Sequence, residues 1–335
     1  MATQVDHLVT RLRAGDTRAL ARAVSLVENG AAEASGLLSA CFPHTGRALR
    51  VGVTGAPGAG KSTLVDRLAR AWLASGSRVG VIAVDPTSPF TGGALLGDRI
   101  RMQEKLGPSQ LNDGLYVRSM ATRGSLGGLA GTTADVAQVI EASGRDIVLI
   151  ETVGVGQDEV EIVRLADVTV VVLVPGMGDD VQSLKAGIME IADIFAINKS
   201  DREGADRVEK EIRAMQSLSA RHEAPHELWT VPVVKTIATS GEGIDALVTA
   251  IDQRKQWLAQ DGRLDARRRA YWRERIEGMM RQALLKEARA HGLTEAELQS
   301  HAEQVASGAE DPYRLIPTLV AQLFETPAGK MGGKR

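Results

Sequence analysis

The sequence predicts an α/β fold: a doubly wound, mostly parallel β-sheet with helical extensions at both ends. Three observations predict it. Seven short apolar runs alternate with amphipathic stretches between Leu49 and about Ala250, as expected when a crossover helix follows each strand. A glycine-rich loop joins the first run to a helix-like stretch. Before the first run, Val5, Leu8, Val9, Leu12, Leu20, Val24 and Val27 recur at helical spacing.

In order, residues 1–45 predict a helical extension. The strand-like runs are LRVGVTG from Leu49, RVGVIAVDP from Arg78, LYVRSMAT from Leu115, DIVLIETVG from Asp146, VTVVVLVPG from Val168, DIFAINKSD from Asp193 and LWTVPVVKT from Leu228. After Gly243 the pattern turns helical, with a charged stretch from Asp261 to His291. Thr294, Glu295, Ala296 and Glu297 predict a capping box that opens another helix. The glycine- and lysine-rich end, GKMGGKR, is expected to be disordered.

Composition narrows the function. The chain has 335 residues, 44% of them apolar, which suffices for a substantial core. A net charge of −2 and 3% aromatic residues offer neither a phosphate-neutralising surface nor a base-stacking platform, so nucleic acid is not an expected partner. Cys41 is the only cysteine, which excludes an intramolecular disulfide framework. The N-terminus lacks a signal-like apolar core and no run reaches spanning length, so no membrane association is expected and the expected address is cytoplasmic.

The strongest chemical signal is GAPGAGKST, Gly55 to Thr63, which follows a strand-like run and opens a helix. It has the phosphate-loop spacing G-x-x-x-x-G-K-[ST]. Gly55, Gly58, Ala59 and Gly60 would let backbone N–H groups surround a β-phosphate, with Lys61 neutralising β- and γ-oxygens, Ser62 placing its hydroxyl on Mg²⁺ and Thr63 closing the motif. NKSD, Asn198 to Asp201, closes the sixth run. The Asp201 carboxylate can accept from both the ring N–H and the exocyclic amine of guanine, a donor pair adenine lacks. Asn198 would brace the loop, and the Lys199 stem would lie across the base. A third contact is expected from Thr236, Ile237 and Ala238, with the Ala238 N–H donating to guanine O6, although isoleucine stands where a serine is usual. Asp85 ends the second run and could hold a water on Mg²⁺, and Asp98 lies in a glycine-containing segment suited to a switch loop.

Together these motifs resemble one family: the methylmalonyl-CoA mutase-associated G-protein chaperones, the MeaB and MMAA group within the metallochaperone-type (SIMIBI) P-loop GTPases. The resemblance runs nearly end to end, through GAPGAGKST, DPTSPFTGGALLGDRIRM, RGSLGGLAGTT, ETVGVGQDE, PGMGDDVQSLKAGIMEIADIFAINKSD and the late DPY at Asp311 to Tyr313. It implies GTP-gated delivery of adenosylcobalamin to a B12-dependent acyl-CoA mutase, ejection of inactivated cofactor, and a homodimer formed through the C-terminal helices. ATP:cobalamin adenosyltransferase is a further partner on this reading. The implied organisation is a P-loop GTPase domain at 46–255, a helical dimerisation region at 256–328 and a tail at 329–335. By the same resemblance, Asp85, Asp98 and Glu151 take magnesium and switch roles, with Lys61, Asp98 and Glu151 serving hydrolysis, and Gly154 senses the γ-phosphate. Gly178 to Lys185, with Asp179, Asp180, Gln182 and Lys185, forms an additional switch that couples nucleotide state to the mutase.

One departure from ordinary GTPases is informative. Val155 follows Gly154 where Ras-like proteins carry the glutamine that orients attacking water, which predicts slow hydrolysis by the isolated protein. No D-x-H-x-x-G cobalamin signature occurs, so the cofactor is expected to be held by the mutase and not by this chain. Two alternatives stand beside this reading. A nickel-insertion GTPase would carry His- or Cys-rich ligands, whereas this chain has six dispersed His and one Cys. A P-loop small-molecule kinase, like the older label of amino-acid-transport kinase, would have no use for NKSD. His222 and His226 are separated by Pro225, which breaks the helix a metal pair would need. Met279 and Met280 predict packing, and Arg267, Arg268 and Arg269 a solvated helix face.

Overall fold

The computed structural model describes residues 2–85, 114–121, 128–152, 164–176, 191–219, 229–290 and 293–324. Its centre is one sheet of seven parallel strands: β1 (Leu49–Gly55), β2 (Val79–Asp85), β3 (Leu115–Ala121), β4 (Ile147–Glu151), β5 (Val168–Leu173), β6 (Ile194–Asn198) and β7 (Val233–Thr236). They lie in the order β3-β2-β4-β1-β5-β6-β7. Every pairing is parallel; Val51 of β1, for example, stands between Leu149 of β4 and Val168 of β5. Strands β4, β5 and β6 are buried along their whole length, which explains their uninterrupted apolar runs.

The described helices are α1 (Ala2–Arg13), α2 (Thr17–Glu28), α3 (Ala34–Cys41), α4 (Lys61–Ala74), α5 (Gly128–Ala142), α6 (Ala205–Ser219), α7 (Ile244–Ala259), α8 (Arg263–Ala290), α9 (Glu295–Ala306) and α10 (Pro312–Phe324). Helices α1 to α7 cover both faces of the sheet. On one face, Leu64, Leu68 and Trp72 of α4 and Leu247 and Ile251 of α7 pack on Val51, Val53, Leu149 and Val170. On the other, Leu12, Leu20, Val24 and Leu37 share a core with Val136 and Ile140 of α5 and with Ile82, Val148 and Ile150 of the sheet. The N-terminal helices are therefore one wall of the sheet's core. Arg118 of β3 ties that wall down by an ion pair to Glu28 of α2. Cys41 is wholly buried here, and burial pushes its thiol up to about 11, so it stays protonated near neutral pH.

The amino ends of the strands carry a row of acids, of which Asp167 and Asp193 are buried and Asp146 is exposed. Asp146, Asp167 and Asp193 each stand one residue before a strand and accept a backbone N–H from beside a neighbouring one: Arg78 N at 2.7 Å, Arg50 N at 3.0 Å and Thr169 N at 2.8 Å. Buried Glu141 accepts the amides of Gly46, Arg47 and Ala48 and pairs with Arg50 at 2.8 Å. Burial works against the Arg50 charge, but the Glu141 carboxylate outweighs it and holds the guanidinium above its usual pKa.

This row corrects one expectation. Arg267 and Arg268 are not a solvated face: Arg267 meets Asp193 at 3.2 Å, and Arg268 meets Asp167 at 3.5 Å while donating to Gly46 O at 2.7 Å. The sheet order gathers acids distant in sequence beside α8, where no helical periodicity could reveal them. Arg269 is exposed, as expected. Asp193 also pairs with buried Arg254 at 2.7 Å. Burial draws the Arg254 guanidinium below its usual pKa against the pull of Asp193, and its charge lies over the rings of Trp257 at 4.3 Å and Trp229 at 5.1 Å. Asp193→Ala removes a carboxylate facing two guanidinium groups and should destabilise the chain by about 3–5 kcal/mol. Urea melts would check this; an unchanged midpoint would contradict it.

The described chain divides into two compact units, Met1–Tyr271 and Trp272–Arg335, with α8 continuing from the first into the second. Within the second unit, Glu297 N donates to Thr294 Oγ1 and Thr294 N to Glu297 Oε2, the capping box expected at the start of α9. His301 and Glu310 pair at 2.8 Å. Ile276, Met279, Met280 and Leu284 on α8 are exposed, as are Tyr313, Ile316 and Val320 on α10. Met279 and Met280 thus lie outside the described core.

Candidate nucleotide site

Strand order reverses around β1, which lies between β4 and β5 while its successor β2 lies beyond β4. In open parallel sheets, the crevice beyond the carboxyl ends at such a point is where ligands bind. The loop from Gly55 leaves β1 there and enters α4 at Lys61. Two of its glycines are dictated by space as well as by left-handed backbone. A Cβ on Gly55 (φ 139°) would fall 2.2 Å from Val172 O, and one on Gly60 (φ 88°) 2.5 Å from Asn198 Nδ2. Lys61, the first residue of α4, is buried, and its ammonium donates to Gly55 O at 2.7 Å and Ala56 O at 3.1 Å. The lysine is thereby folded back over its own loop beside the helix N-terminus, where an anion is favoured.

Ser62 Oγ donates to Glu151 Oε1 at 2.5 Å, joining residues on α4 and at the end of β4. Glu151 is buried and therefore hard to leave without a cation or hydrogen-bond donor. A hydroxyl and a carboxylate are the hard oxygen donors Mg²⁺ takes when phosphates and water complete its octahedron. The residues present fit that ion, Ser62 and Glu151 being those that would face it. Among the described residues no group of three or more His, Cys, Asp or Glu side chains gathers as a metal cluster. Thr152 Oγ1 donates to Thr54 Oγ1 at 3.0 Å and Thr152 N to Val53 O at 3.1 Å, fastening the strand end that bears Glu151 to the strand that bears the loop. Sequence reading missed this threonine pair; the only signal was a hydroxyl residue at each of two apolar strand ends.

Asn198 is the junction of the site. Its Nδ2 donates to Ala59 O at 2.8 Å, and its Oδ1 accepts from Ala238 N at 3.1 Å and from Thr236 Oγ1 at 3.3 Å. Lys199 adopts a left-handed backbone (φ 55°), a strained choice for a non-glycine residue, and donates to Gly58 O at 2.8 Å. The NKSD loop is thus hydrogen-bonded to the phosphate-type loop at Gly58 and Ala59. Asp201 is exposed at the end of this turn.

Ala238 differs from the expectation. It is buried, and its N–H is engaged by Asn198 instead of being left for a base. Isoleucine at 237 does not unsettle this loop, because backbone bonds hold it: Ile237 N to Glu242 O at 3.0 Å, and Ser240 N and Gly241 N to Ile237 O. From α4, Arg67 donates to Ala238 O at 2.9 Å and to Thr239 O. Sequence reading did not find Arg67, which sits at an ordinary helical position. Asp85 closes β2, but its side chain is outside the described residues, as are Asp98, Gly154, Val155, Asp179, Asp180, Gln182 and Lys185.

Comparison with known proteins bears on this geometry. A family model described as methylmalonyl-CoA mutase-associated GTPase MeaB matches residues 20–292. A Pyrococcus abyssi protein assigned to the GTPases is 46% identical over 321 residues, which span 96% of this chain and 97% of the relative. The mouse mitochondrial methylmalonic aciduria type A homolog is 34% identical over 334 residues, covering 94% of this chain and 79% of that protein. Among solved structures, the crystal structure of a LAO/AO transport system kinase superimposes with a TM-score of 0.69 at 28% identity, over 96% of this chain and 97% of its own.

Proposed function

Because this chain belongs to the family of methylmalonyl-CoA mutase-associated GTPases, the MeaB family, we propose that it is a GTP-driven chaperone that gates adenosylcobalamin loading onto a B12-dependent acyl-CoA mutase. Membership makes it a P-loop GTPase, with GTP and GDP as ligands. The observation that best supports a guanine-specific site is the Asn198 junction, which bonds the NKSD turn to the phosphate-type loop through Ala59 O and to the 236–238 loop through Thr236 and Ala238. A site that merely held phosphates would have no need of that second loop.

On this reading, Lys61 neutralises the β- and γ-oxygens, Ser62 and Glu151 face Mg²⁺ together with Asp85 and Asp98, and Gly154 senses the γ-phosphate. The Ser62–Glu151 contact supports coupling, because it links the metal-side serine to the first residue of ETVGVGQDE. Loss of the γ-phosphate would then be felt at the segment after β4. Asp179, Asp180, Gln182 and Lys185 would carry the signal to the mutase. The exposed apolar residues of α8 and α10 support a homodimer formed through the second unit. Cobalamin stays with the mutase, an adenosyltransferase supplies it, and the site of action is the cytoplasm. Among the described residues no helix is long and apolar enough to cross a membrane.

With Val155 in the water-orienting position, hydrolysis by the chain alone should be slow and should rise at least several-fold when the cognate mutase is added. Phosphate release against a panel of methylmalonyl-, isobutyryl-, ethylmalonyl- and 2-hydroxyisobutyryl-CoA mutases would measure this and identify the partner. Fast turnover that no mutase alters would sink the chaperone reading.

A further inference from the structure

We propose that Arg67 is a positioning residue for guanine recognition, which clamps two successive carbonyls of the 238–239 segment and so aims the Thr239 N–H at the base. This rests on the base-reading role proposed above for the NKSD turn. Arg67 lies on α4, the helix that begins at Lys61, and reaches across 171 residues of sequence to Ala238 O through Nε at 2.9 Å and to Thr239 O through Nη2.

The consequence follows from peptide geometry. A trans peptide is planar, with its C=O and N–H pointing in opposite directions, and the described chain has no cis bonds. Fixing Ala238 O toward α4 therefore turns the N–H of Thr239, the other half of the same peptide, away from α4. Fixing Thr239 O sets the next peptide, whose Ser240 N–H returns to Ile237 O at 3.1 Å. The two donors of one planar, rigid fork thus define two consecutive peptide planes at a fixed separation, which the single freely rotating ammonium of a lysine on its flexible stem holds less tightly.

The neighbouring amides are already committed. Ala238 N–H goes to Asn198 Oδ1, and Ile237 N–H to Glu242 O. Thr239 N–H makes no hydrogen bond with any described residue. In a loop where the surrounding amides are used internally, it is the donor left for guanine O6. Arg67 also makes the loop part of the phosphate-gripping helix, so that base and phosphate recognition share one support.

The test compares GDP with 6-thio-GDP, in which sulfur, a poor acceptor, replaces O6. Binding of both, and of XDP, is measured by calorimetry to the full chain and to its Arg67→Ala, Arg67→Lys and Asp201→Asn variants, with thermal melts to confirm folding. Wild type should bind 6-thio-GDP more weakly than GDP. Arg67→Ala and Arg67→Lys should each bind GDP about tenfold more weakly, as for loss of one charge-assisted contact. In both, the sulfur penalty should shrink to within about twofold. If Arg67→Ala does not fold, Arg67→Lys alone decides. A folded Arg67 variant with the wild-type sulfur penalty, or a wild type with none, overturns the proposal while Asp201→Asn still shifts preference toward xanthine nucleotides. If Asp201→Asn produces no such shift, the base reading itself fails and this proposal with it.

Discussion

Lys61→Ala should lower GTP hydrolysis by about 10²–10³-fold, the usual effect of removing one preorganised donor from a developing charge. Lys61 is buried at the first turn of α4 and held over the loop by Gly55 O and Ala56 O. Its ammonium is therefore placed before any phosphate arrives and loses little freedom in meeting one. Alanine removes the charge, leaves both carbonyls facing the space it filled, and spares the glycine geometry that Gly55 and Gly60 impose. Single-turnover release of labelled γ-phosphate, with circular dichroism to confirm the fold, would check it. A folded variant within tenfold of wild type would show that Lys61 does not meet the transferred phosphoryl group.

Asp201→Asn should change which base the protein accepts. Two hydrogen bonds from guanine to a carboxylate are each worth about 1.5–3 kcal/mol, so GTP affinity should fall by roughly 10²–10⁴-fold. Asparagine offers one acceptor and one donor, which suits xanthine, whose C2 carries an oxygen; XTP should then bind better than GTP. Because Asp201 is exposed, its replacement should leave thermal stability nearly unchanged, so that lost affinity is not confused with lost fold. Competition of XTP and GTP for the variant reads the outcome directly. Equal loss of both nucleotides would place the base elsewhere.

The seven strands were legible because a sheet covered on both faces needs strands apolar on both sides, and runs such as VTVVVL and IVLI admit little else. The phosphate-type loop and NKSD were legible because each function requires particular side chains at fixed short spacing. Other features depend on contacts between distant residues and left no local trace. Arg267 and Arg268 read as solvated until the sheet order set Asp193 and Asp167 beside them. Two strand runs do begin with aspartate, at 146 and 193, and a third is preceded by one at 167, and that recurrence was the available signal for a row of acids. Arg67 gave no signal at all, since its partners are main-chain carbonyls, which every residue has. The N-terminal helices were seen as amphipathic, but periodicity alone does not say which surface an apolar stripe will cover.

That surface has a consequence for how the protein is made. The apolar stripe of α1 to α3 is synthesised before its partners on α5 and β4, which end only at Ala142 and Glu151, about a hundred residues later. At roughly 5–20 residues per second, the nascent chain carries Leu12, Leu20, Val24 and Leu37 without their final cover for on the order of 5–20 s. Translation speed between α3 and β4, and the holding of that stretch by cellular folding factors, therefore bear on yield before any nucleotide is bound.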